Sequence, residues 1–100
     1  VLAYWPRQPK GQDAQMPLRV LFDGDWDLRI KREIEEAIRG CVGEPPADQD
    51  WAVSVFLSTS FQYCEVRVKT PHQTRRRIFF EDPRTLPKAI PDWIGLYPLR

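Results

Sequence analysis

The sequence predicts an α+β domain, a two-layer sandwich in the order β-α-β-β-β-α with a mainly antiparallel sheet packed on one amphipathic helix. Three observations lead there. Apolar residues recur at three- and four-residue steps through one long segment, which is the helical period. They alternate in three shorter segments further on, which is the period of strands with one buried face. A chain of 100 residues supplies one hydrophobic core and not two.

Residues 1–16 read as an extended arm and 17–100 as the domain proper. Pro6, Pro9 and Gly11 interrupt any helix in the arm, while Tyr4 and Trp5 give it an aromatic pair to dock. Leu18 to Phe22 is rich in strand formers and ends at Asp23-Gly24, which is turn chemistry. From there Trp26, Ile30, Ile34, Ala37, Ile38 and Cys41 form the helical stripe, with Asp25 as the predicted N-cap and Gly40 or Gly43 as the stop. On the opposite face Arg29 with Glu33, Arg32 with Glu36 and Glu35 with Arg39 are set for i,i+4 pairs.

After a proline-broken connection at 44–50, Trp51, Val53, Val55 and Leu57 share one face of a strand. Cys64, Val66 and Val68 share one face of the next, and Ile78 and Phe80 are expected to do so in the last. Ser58-Thr59-Ser60 and the Thr70 to Thr74 stretch are the turns of a meander. Beyond Asp82-Pro83, helical spacing of Leu86, Ile90, Trp93, Ile94 and Tyr97 is interrupted by Pro87 and Pro91, which predicts short or kinked helical turns.

Several function classes are disfavoured by composition. A net charge of +1 gives no global field to draw the molecule onto nucleic acid or an anionic membrane. The apolar runs are far shorter than the roughly 20 residues of a spanning helix, so no membrane partner is expected. Two cysteines are too few for a stapled secreted scaffold, and no signal-peptide pattern opens the chain; a reducing, cytoplasmic setting is the expectation.

No catalytic or metal constellation emerges, and no cofactor is expected. Asp23, Asp25 and Asp27 alternate like the start of a calcium loop, but such a loop needs glycine and glutamate where this chain has Leu28 and Ile34. Val20-Leu21-Phe22-Asp23-Gly24-Asp25 resembles the opening of the DCC family of thioredoxin-like proteins. The resemblance covers about six residues, and the family's cysteine positions hold Trp26 and Arg29, so the thiol chemistry it implies has no residues here. Aspartate-based phosphatases also place Asp-x-Asp after a strand, but the threonine that follows their motif is missing. Cys41, Cys64 and His72 are too few and too scattered for zinc.

One surface is locally biased. Arg67, Lys69, Arg75, Arg76 and Arg77 cluster with His72 and no acid intervenes. Strict alternation puts Phe56, Tyr63, Arg67, Lys69, Arg75, Arg77 and Phe79 on the sheet face away from the helix. Aromatic side chains among arginines are typical of protein interfaces, and also of platforms for single-stranded RNA or DNA. The expectation is a protein-binding or regulatory module, with a protein partner or a second copy on this face and nucleic acid as the alternative.

Overall fold

The computed structural model describes residues 18–58, 60, 62–96 and 99. The arm expected over 1–16 lies outside them. Strand β1 (Leu18–Gly24) is followed by helix α1 (Leu28–Val42), strands β2 (Trp51–Ser58), β3 (Tyr63–Lys69) and β4 (Thr74–Phe79), a 3-10 turn (Pro83–Thr85) and helix α2 (Leu86–Ile94). The sheet runs β1-β2-β3-β4. β1 is parallel to β2, as a helical crossover allows, and the remaining pairs are antiparallel hairpins. The predicted α+β class and element order are therefore present.

Helix α1 is capped by Asp27, two residues later than the expected Asp25: its carboxylate accepts the backbone N–H of Arg29 (2.9 Å) and Ile30 (3.2 Å). Trp26 consequently precedes the helix. Its ring packs edge-on to Phe22, centroids 5.5 Å apart, and its indole N–H donates to the Asp23 carbonyl. The helix stops at Gly43, whose φ of 73° is costly for a residue with a Cβ. Gly24 has a second reason to be glycine: at φ 100° a Cβ there would run into the Leu57 carbonyl of β2. Of the predicted helix-surface pairs, Glu35 and Arg39 meet at 3.1 Å, and Arg39 also donates to the Leu18 carbonyl at the edge of β1.

Ile34 and Ile38 are fully buried in the core, together with Trp51, Val53 and Val55 of β2 and Cys64, Val66 and Val68 of β3. Helix α2 completes it with Leu86, Ile90, Trp93 and Ile94. This segment forms one nine-residue α-helix instead of the broken turns its prolines suggested. Pro87 stands in the first turn, where the N–H has no partner to lose, and Pro91 sacrifices one ladder bond against the burial of four large side chains.

β4 corrects the alternation inferred from the sequence. Cys64 pairs with Phe79, Val66 with Arg77 and Val68 with Arg75, so Phe79, Arg77 and Arg75 lie on the helix side of the sheet. Phe79 is buried against Trp93, ring centroids 6.0 Å apart, and Phe80, expected in the core, is 76% exposed. The hairpin sets this parity. Lys69 pairs with Thr74 around a turn in which the Thr70 hydroxyl accepts the N–H groups of His72 and Gln73, and Thr70 N–H donates to Gln73 O. Because Lys69 faces away from the helices, so do Thr74, Arg76 and Ile78.

Candidate functional site

Both helices contribute to one core on one side of the sheet, and every buried strand residue of that core points to that side. The other side is open among the described residues. Its side chains form cross-strand rows fixed by the register. At one end Ser58 faces Tyr63, and Phe80 follows β4 beside them. Next come Asp23, Phe56, Glu65 and Ile78, then Leu21, Ser54, Arg67 and Arg76. At the far end stand Arg19, Ala52, Lys69 and Thr74.

The first two rows are dominated by rings. Phe56 and Tyr63 have centroids 6.2 Å apart, and Tyr63 and Phe80 meet edge-on at 6.3 Å, so the three make a chain across β2, β3 and the end of β4. Two grooves flank it. One of about 370 Å3 is lined by Leu21, Asp23, Ser54, Phe56, Glu65 and Arg67. The other, about 380 Å3, runs past Leu57, Gln62, Phe80, Glu81 and Pro83. Leu21, at 47% exposure, leaves a further aliphatic side chain uncovered on this face.

The last two rows are basic. Glu65, on β3, stands between two arginines: Arg67 Nη2 and Arg76 Nε each reach Glu65 Oε2 at 3.0 Å. Arg19 forms a fork with Asp50 at 3.2 and 3.0 Å. Lys69 is exposed and makes no ion pair among the described residues.

Of the residues expected on this face, Phe56, Tyr63, Arg67 and Lys69 are here. Arg75, Arg77 and Phe79 are not. Arg75 stacks over the Trp93 ring at 5.8 Å and reaches the Ile94 carbonyl, while Arg77 lies 5.1 Å over Phe79. They support the packing of α2 and belong to the core side. Sequence reasoning missed Leu21, Glu65, Arg76, Ile78 and Phe80. For Arg76, Ile78 and Phe80 the signal is the hairpin, whose four-residue turn closed by Lys69 and Thr74 fixes which residues of β4 face outward, while Leu21 and Glu65 follow from alternation within β1 and β3.

The cysteines lend no nucleophile to the site. Both are free. Burial, and then the Glu65 carboxylate, push the Cys64 thiol up to about 12, and burial with the Asp92 carboxylate raises that of Cys41. Less thiolate at neutral pH means slower attack. Cys41, expected to be buried in the stripe, is exposed at the end of α1, its thiol 3.5 Å from the Pro91 carbonyl. Asp27 serves as a helix cap, and Asp23 accepts the Gly24 N–H.

No helix among the described residues is long and apolar enough to cross a membrane. No protein-family model, no curated protein and no solved structure matches this chain.

Proposed function

We propose that this domain is a protein-binding module whose open sheet face seats a partner on Phe56, Tyr63 and Phe80. One observation carries the reading: three aromatic rings, with Tyr63 in contact with both Phe56 and Phe80, lie on the side of the sheet that both helices leave open, flanked by two grooves. Contiguous apolar surface of this kind marks interaction sites, and aromatic anchors beside arginine are the side chains on which binding energy concentrates.

The same rings could stack bases, but Glu65 argues for protein. Glu65 and Asp23 stand in the row of Phe56, so a strand stacked on the rings, charged along its whole length, would bring phosphates against two carboxylates, one of which already holds the nearest arginines. Platforms for single strands instead track the backbone with free cations.

The test is selection of peptides from a displayed random library against the intact protein, with the ligands mapped by amide chemical-shift changes. The expected footprint covers Phe56, Tyr63 and Phe80, and binding is lost in Phe80→Ser while the melting curve is unchanged. Selected ligands that map to the helix side, or that bind Phe80→Ser as well as wild type, would refute the reading.

A further inference from the structure

We infer that the partner presents a segment polarised along its length, apolar or aromatic at one end and acidic at the other. This rests on the open face being the protein-binding surface. The face is itself polarised along the strands. Phe56, Tyr63, Ile78 and Phe80 occupy one end, and Arg19, Arg67, Lys69 and Arg76 the other. Within the basic end, Arg19 pairs with Asp50, Arg67 and Arg76 divide the single Oε2 of Glu65, and Lys69 makes no ion pair among the described residues. An excess of positive charge therefore remains beside the rings. A carboxylate arriving over Lys69 makes a pair that the described residues do not supply, and one over Arg76 meets a guanidinium that has only a share of Glu65 Oε2, whereas arriving cations meet repulsion.

The dimensions set the length of such a segment. From Tyr63 to Lys69 the strand advances roughly 20 Å at about 3.3 Å per residue. A partner helix covers that in about 13 residues, an extended strand in about six. The groove beside Leu21 and Phe56 takes an aliphatic or aromatic anchor, and Arg67 at its rim marks where the apolar end gives way to the acidic one. Order therefore matters as well as composition.

The experiment uses the intact protein and a library of random peptides about 15 residues long, enough to cross the face as a helix. The expected result is that open-face ligands carry Phe, Leu or Trp at one end and Asp or Glu at the other. A shuffled peptide of the same composition should bind at least about tenfold more weakly, and replacing its acids by lysine should cost as much again. Ligands that map to the open face but are basic, uncharged or indifferent to shuffling overturn the inference and leave the protein-binding reading standing. Ligands that map elsewhere overturn that reading itself. Saturable binding of labelled oligothymidine that is lost in Phe80→Ser assigns the face to nucleic acid and overturns both. Self-association in sedimentation, abolished by Phe80→Ser, assigns the face to a second copy and overturns the inference.

Discussion

Phe79 and Phe80 are neighbours in the chain with opposite environments: Phe79 is 3% exposed and meets Trp93 edge-on, while Phe80 is 76% exposed beside Tyr63. Their substitutions should separate stability from binding. Phe79→Ala is expected to cost about 3 to 5 kcal/mol through the cavity it leaves under α2. Phe80→Ser should stay within about 0.5 kcal/mol of wild type, as surface changes do. Chemical denaturation of the two variants checks this, and equal losses would mean that β4 does not hold this register in solution.

The same pair shows what the chain discloses about its fold. Helix α1 is legible because its stripe repeats over four turns, and Ile34 and Ile38 fall where the period puts them, both fully buried. β2 and β3 are legible because Val53, Val66 and Val68 stand between polar or small neighbours and Val55 keeps the same parity. β4 is not, since Arg75-Arg76-Arg77 followed by Ile78-Phe79-Phe80 reads equally well with either parity. A slip of one residue exchanges the two faces, and of the seven residues expected to share the open face only Phe56, Tyr63, Arg67 and Lys69 lie on it. Glu65 was illegible for another reason: its role comes from a contact with Arg76 on the next strand, which only the register creates.

Thiol reactivity should follow the placement of the cysteines. Cys41 is exposed and Cys64 is 1% exposed in the core. A thiol reagent should modify Cys41 in the native protein, more slowly than a free cysteine at the same pH because its pKa is raised. Cys64 should react only on unfolding. Its raised pKa has a definite sign for stability: the contribution is complete below the ordinary thiol value and declines as pH rises toward about 12. Mass spectrometry after native labelling decides the order, and prompt modification of Cys64 would contradict its burial.

Asp82 offers a test of local order at the start of the 3-10 turn. Its carboxylate accepts the Arg84 side chain at 2.8 and 3.2 Å and the Arg84 N–H at 2.9 Å, which together lower its pKa to about 2. Because the folded value is depressed, the contribution of this contact is present above the ordinary carboxyl value of about 3.9 and is lost as pH falls through the folded one. An acid titration followed at the Arg84 amide should therefore show its midpoint near 2, and Asp82→Asn should abolish that transition while keeping a competent cap. A midpoint at the ordinary value would show that the exposed fork with Arg84 is not maintained in solution.

Arg76 and Arg77 allow the same change of charge to be made on either side of the sheet. Arg76 lies on the open face and holds Glu65 at 3.0 Å, while Arg77 lies on the helix side over the Phe79 ring. Arg76→Glu replaces an attraction to Glu65 with a repulsion, and the exposed position limits the loss of stability to about 1 kcal/mol. Arg77→Glu gives up a cation-π contact of about 0.5 to 1 kcal/mol, so the two variants should melt alike. Their effects on a polarised acidic ligand should differ. Arg76→Glu is expected to weaken it at least about tenfold, or 1.4 kcal/mol, because it removes a cation from beneath the acidic end and adds a like charge there. Arg77→Glu leaves that end untouched and should bind within about twofold of wild type, since a rim charge on the far side acts only through solvent. Isothermal titration of both variants with one selected peptide is the measurement. Equal weakening by the two would mean that binding responds to net charge alone, and the face of the sheet would then have no part in recognition.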